Sequence, residues 1–148
     1  VVAVGAWFDK GVAVAQAWDT DAGVVVSVSD CASVPAAVAL VASIGCRGQV
    51  LAGSSLVEHP AWTEAGVSVE SRSGSVREVA ADFAKAIKES SFVHGRSGVL
   101  TEQALAMRVA DGVDGVRVVS KERADAIKAA MWAVRAAIDG YSALNNIW

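Results

Sequence analysis

The side chains able to do chemistry in this 148-residue chain are few and widely spaced. The most suggestive is Asp125, in "SKERADAIKAAMWAVRAA". At 100° per residue, Ile127, Met131, Val134 and Ile138 form one helical stripe of ordinary core type, and Asp125, Ala129, Trp132 and Ala136 fall on the opposite side. A carboxylate on a face of small residues and one Trp either stands near the helix N-terminus for dipole and capping reasons or is a ligand aimed at a sheet edge. Folds that place a metal-binding carboxylate on their first strand would carry an Asp about where Gly5 stands in "VVAVGAWFDK".

Other candidates have simpler readings. His94, in "FVHGRSG", and His59, before Pro60, have no second His or Cys at ligand spacing and read as loop and turn histidines. Ser54-Ser55 follows a strand but lacks the Gly-x-Ser-x-Gly setting and the His and Asp that would activate a nucleophile. Cys31 and Cys46 have no metal-site spacing and read as apolar filling in a reducing compartment. The five Trp residues read as core rather than base-stacking platforms. "FDKG" resembles the phosphate turn of actin-like ATPases, which need two such lobes where this chain has one, and no Gly-x-x-x-x-Gly-Lys-Ser/Thr loop exists.

The elements that position these residues follow from composition and periodicity. Hydrophobic residues make up 53% and charged residues 20%, enough apolar material for one packed domain and too little polarity for disorder. Neither a membrane-length apolar run nor a signal-peptide pattern is present, so a soluble, cytoplasmic protein is expected. The chain lacks an initiating Met and begins in a strand, which reads as a domain cut from a longer chain. Net charge is −3, distributed unevenly: through Glu70 two basic residues face seven acidic ones, and beyond it eleven face nine. That balance is not the strong basic patch that usually marks a nucleic-acid binder, and it leaves room for such a contact in the second half.

Val1–Phe8, Val12–Trp18 and Gly23–Ser29 are Val-rich and separated by turn compositions, which predicts a three-stranded meander. Ser33 can cap a helix with Pro35 in its first turn and Gly45 as its stop. Gln49–Ala52 reads as a fourth strand, "LVEHPAWTEAG" as a short helix and Val67–Glu70 as a fifth strand. Ser75 and Glu78 form a capping box for a helix whose apolar face is Val76, Val79, Ala80, Phe83 and Ile87. "SSFVHGRSG" reads as a connector, "LTEQALAMRVAD" as a helix, "GVRVVS" as a short extended piece and "KERADAIKAAMWAVRAAI" as a terminal helix. The expected architecture is α/β, ribonuclease H-like, with a mixed five-stranded sheet of order 3-2-1-4-5 flanked by helices over residues 1–140, and a tail at 141–148.

Four stretches, "VAVGAWFDKGVAVAQAW", "QVLAGSSLVEHPAW", "FVHGRSGVLTEQALAMRVADG" and "SKERADAIKAAMWAVRAA", in this order and at these separations, resemble the C-terminal nuclease domain of the large subunit of tailed-phage terminases. The resemblance covers roughly residues 1–138 and is most specific from Phe92 to Ala137. It implies a ribonuclease H-like fold and phosphodiester hydrolysis by two divalent ions about 3.5–4 Å apart, held by three or four carboxylates. The family's acids lie on the first strand, at the end of the fourth and on the terminal helix. Carried over, these places are Gly5, Gly53 (Ala52 if the alignment slips by one) and Asp125.

Only the third is an acid, and glycine offers no side-chain oxygen. Asp9 lies four residues beyond Gly5, about 13 Å along an extended chain, and reads as a turn residue. Glu58, five residues beyond Gly53, is the better candidate for a moved acid, though a solvated helix Glu is the plainer reading. The resemblance thus implies a degenerate nuclease domain, a pseudoenzyme acting as a scaffold, docking or DNA-contacting module in phage DNA packaging. Its implied partners are double-stranded DNA, the terminase ATPase domain, the portal or other packaging proteins. Arg96, Arg108, Arg117 and Lys121 are the candidate DNA contacts. No cofactor is expected on that reading. The alternative is a working Mg²⁺ or Mn²⁺ endonuclease with Asp125, Glu58 and Asp9 in a rearranged site.

Overall fold

A computed structural model describes residues 2–6, 11–21, 23–45, 49–71, 76–89, 92–94, 98–106, 108–112, 115–119 and 124–145. Strands β1 (Val2–Ala6), β2 (Val12–Thr20) and β3 (Gly23–Cys31) form the expected antiparallel meander. The turn between β2 and β3 closes through Gly23, whose φ of 112° is open to glycine and strained for other residues. Strand β4 (Val50–Ala52) pairs parallel to β1, and β5 (Glu70–Ser71) pairs parallel to β4. The chain order β5-β4-β1-β2-β3 is completed at its outer edge by β6 (Phe92–His94), parallel to β3.

The main sheet therefore has six strands where the sequence predicts five. Three residues carry no usable periodicity, so "FVH" reads as connector, and the open edge of β3 supplies what the local signal lacks. Strand β5 is also shorter than expected. Val67 and Val69 pack against the apolar cluster beneath them and only Glu70 and Ser71 reach the ladder.

Alternation along the strands sorts the core into two layers. Val12 and Val14 of β2 join Val50 and Ala52 of β4 on one face, covered by helix α1 (Val34–Ile44), Leu56 and Trp62, the last within the short helix α2 (Ala61–Glu64). Ala15, Ala17, Val24, Val26 and Leu51 point to the other face, against helices α3 (Val76–Lys88), α4 (Gly98–Ala106) and α5 (Asp125–Asn145). The alanines of β2 let α5 approach closely, and Ile127, Met131, Ala133 and Val134 are fully buried there.

Local signals account for α1. Ser33 Oγ accepts from Ala36 N at 3.2 Å, Pro35 occupies the first turn, and Gly45 ends the helix at φ 63° with its N–H donating to the carbonyl of Ala42. On α3 the inward face is Val79, Phe83 and Ala86, whereas Ile87, expected inside, is 53% exposed. Ser75 of the expected capping box lies outside the described residues.

The second half differs more. The helix expected across "LTEQALAMRVAD" stops at Ala106, and Arg108–Gly112 forms β7, paired antiparallel with β8 (Gly115–Val119) in a separate two-stranded ribbon. The β-branched residues of the second strand supply a ladder partner that outweighs helical periodicity in the first. The terminal helix continues to Asn145, through most of the segment expected to be a tail. Among the described residues no helix is long and apolar enough to cross a membrane.

Candidate functional site

Strands β1, β3 and β4 run in the same direction, so their carboxyl ends share one end of the sheet. Val4 pairs with Ala52, which makes Gly5 and Gly53 neighbours one step further along two adjacent strands. Leu51 faces α5, so Gly53 follows it toward the same side by alternation. Gly53 is buried, and its carbonyl accepts from Leu56 N at 2.9 Å and Val57 N at 3.0 Å, so the chain turns immediately after the strand. Neither glycine brings a side-chain oxygen to this end.

Gly5 stands opposite Ala13, and Ala13 opposite Asp30. These three form a cross-strand row on the α5 face, with Asp30 two strands from Gly5, about 10 Å away at ordinary strand spacing. Asp30 is exposed and engaged in interactions of its own. The strand expected from the sequence ends at Ser29, whereas β3 runs on to Cys31 and takes in Asp30. The register supplies the signal that one-dimensional spacing does not.

Asp125 opens α5 and is completely buried. Gln103, on α4 and only 5% exposed, reaches it with both ends of its amide: Nε2 donates to Asp125 Oδ1 at 3.1 Å, and Oε1 accepts from the backbone N–H of Ile127 at 3.1 Å. The first turn of α5 has unsatisfied N–H groups, and an acid there also favours the helix dipole. One amide therefore caps the helix and neutralises part of the hydrogen-bonding demand of the buried carboxylate. Asp125 thus sits at the N-terminus of α5, the position the capping reading expects.

Glu58 lies in the turn after Gly53 and is exposed. The neighbouring Leu56 and Val57 pack with the apolar cluster on the α1 side of the sheet. His59 Nδ1 accepts from Ala61 N at 3.2 Å, in keeping with a turn histidine, and Trp62 is core, its indole N–H donating to the Leu56 carbonyl at 2.9 Å. His94 lies on β6. Arg108 and Arg117 lie on β7 and β8, where Arg117 pairs with Ala110 and Arg108 with Val119, so the register assigns both positions to one face of the ribbon. Asp9, Arg96 and Lys121 lie outside the described residues, as do Cys46, Trp7 and Trp148.

Cys31, the last residue of β3, reports the electrostatics of this end. Burial pushes its thiol pKa up, and the carboxylates of Asp30 and Asp125 push it the same way. Both acids therefore project field onto one point at the carboxyl end of β3.

A pair of Mg²⁺ or Mn²⁺ ions requires several oxygen donors converging on two centres. Among the described residues, no group of three or more His, Cys, Asp or Glu side chains could hold a metal ion. With glycine at 5 and 53 and an amide seated on the one buried carboxylate, the described donors do not fit a two-metal centre.

No protein-family model matches the sequence, and no curated protein matches it. Solved structures do. The large terminase of bacteriophage HK97 superposes with a TM-score of 0.71 at 14% identity, over 91% of this chain and 38% of that one. The large terminase nuclease from the thermophilic phage G20c gives 0.66 at 14% identity, over 91% of this chain and 81% of that one. The same G20c nuclease with bound magnesium gives 0.62 at 16% identity, over 91% and 80%. This chain thus spans well under half of the HK97 protein and most of the G20c nuclease chains. In fold, this chain resembles the large terminase nuclease of phage G20c and the matching part of the HK97 large terminase.

Proposed function

We propose that this domain is a terminase-type nuclease module whose two-metal centre has been dismantled, and that it serves as a scaffold, docking or DNA-contacting module in phage DNA packaging. The observation that carries this reading is the state of Asp125. The one acid retained among the three family positions is fully buried and clamped by Gln103, while the other two family positions are glycines. A carboxylate committed to an amide and to a helix N-terminus serves the fold without any cation. On this reading double-stranded DNA and packaging proteins are the partners, with Arg96, Arg108, Arg117 and Lys121 as phosphate contacts.

A second reading, an Mg²⁺- or Mn²⁺-dependent DNA endonuclease with a rearranged acidic site, has one observation on its side. Asp30 faces the α5 layer in the row of Gly5, at the end of the sheet where Asp125 also sits.

Calorimetric titration of the domain with Mn²⁺, together with nicking assays on supercoiled plasmid, separates the two. The scaffold reading predicts no saturable binding at millimolar Mn²⁺ and no nicking. Saturable binding that disappears in Asp125→Ala or Asp30→Asn, accompanied by nicking, would overturn it. Restoring carboxylates through Gly5→Asp and Gly53→Asp tests the same premise in reverse, and gain of Mn²⁺ binding is the expected result.

A further inference from the structure

The far end of the sheet carries a feature unrelated to Asp125. A cavity of about 600 Å³ lies between the β2–β3 turn, the last turns of α3 and residues 134–139 of α5. At 1.5 Å per residue this is about 14–21 Å along the helix from Asp125. Its floor is apolar, formed by Phe83, Val134 and Ile138. Arg135 stands in its wall, with Nε 3.7 Å from Asp82 Oδ2 and 3.6 Å from Asp139 Oδ2. These are ion-pair separations, too long for hydrogen bonds. Arg135 Nη1 is buried and has no hydrogen-bond partner among the described residues.

The rim adds two exposed carboxylates, Asp21 and Glu89, and one cation, Lys85. Four carboxylates against two cations make the groove negative, which repels nucleic acid and attracts positive groups. The apolar floor accepts an aliphatic side chain. Anionic rim and apolar floor together match a short extended stretch of protein carrying Lys or Arg next to an apolar residue.

We propose that this groove docks a basic segment of a partner protein. A Lys or Arg of that segment faces Asp21 and Glu89, and its apolar neighbour lies on Phe83 and Ile138. The inference does not depend on the state of the metal centre, because the groove shares no residue with it.

Fluorescence anisotropy with a fluorescein-labelled Lys-Leu-Arg-Leu-Lys peptide at low salt tests it on the whole 148-residue chain. Saturable binding is expected, weakened about tenfold by the double variant Asp21→Asn with Glu89→Gln. Asp21 and Glu89 are exposed, so the double variant leaves the core untouched. Equal affinity for a Glu-Leu-Glu-Leu-Glu peptide, wild-type affinity in the double variant, or displacement of the peptide by a short DNA duplex would each overturn the proposal.

Discussion

At the scale of single residues, the Gln103–Asp125 contact decides how the candidate site is understood. Gln103 is a surface-type residue held almost completely out of water because both ends of its amide have partners 22 and 24 positions away. Gln103→Ala leaves a buried carboxylate oxygen and a buried backbone N–H without that partner, and should destabilise the domain by about 2–4 kcal/mol. Urea unfolding measures it. Gln103→Glu should be at least as damaging, since it replaces the donor facing Asp125 with a second carboxylate; a variant as stable as the wild type would show that the clamp contributes nothing. Cys31 offers a second test. Its raised pKa leaves a smaller thiolate fraction at a given pH, and the thiolate is the reactive form. In a Cys46→Ser background, iodoacetamide at pH 8 should therefore modify Cys31 more slowly than a free thiol, and Asp30→Asn should speed it. Asp125 itself was legible from the sequence as an acid on a face of small residues, but Gln103 was not. An amide in a helix interior carries no periodic signal, and only the packing of α4 on α5 gives it a role.

Elements with chemical punctuation at both ends were the most readable. Helix α1 has a Ser cap, a Pro in its first turn and a Gly stop, and the structure uses all three. Each side of that helix makes its own prediction. Ser33→Ala removes the oxygen that accepts from Ala36 and should cost about 1 kcal/mol. Gly45→Ala meets no neighbouring atom within 4 Å, so its expected cost, about 1–2 kcal/mol, comes only from forcing an L-residue to φ 63°. Thermal unfolding of the two single variants and the double variant should give additive losses; the sites lie at opposite ends of the helix and share no partner. Strands β6 and β7 were the least readable. Phe92–His94 is too short to alternate, and Arg108–Gly112 continues an apparent helical pattern. Each becomes a strand because a partner elsewhere offers unpaired backbone groups: β3 for the first, β8 for the second. Ile87 reaches the surface for a different reason: α3 turns Val79, Phe83 and Ala86 toward the layer it packs on, which leaves Ile87 outside that face.

The molecule as a whole combines a net charge of −3 with basic residues concentrated in its second half, a distribution that allows duplex DNA to bind only through a local patch. On the proposed reading that patch includes Arg108 and Arg117, which the ribbon register assigns to one face, together with Arg96 and Lys121. Each neutralised phosphate contributes about −0.9 to the slope of log K against log salt, so four contacts give a slope of about −3.6 for duplex DNA. Arg108→Ala and Arg117→Ala should each make that slope shallower by about 0.9 and weaken binding to the same extent on every sequence, since a phosphate contact carries no base information. Anisotropy titrations of a labelled duplex over a range of salt concentrations give the slope directly. A slope that stays the same in the double variant places the DNA contact away from the ribbon. A slope near zero in the wild type leaves protein docking as the function of the domain, and the acidic groove lined by Arg135 then becomes the surface on which to look for its partner. These outcomes do not involve a metal ion, so they test the DNA-contacting part of the proposal independently of whether the glycines at 5 and 53 have silenced the centre.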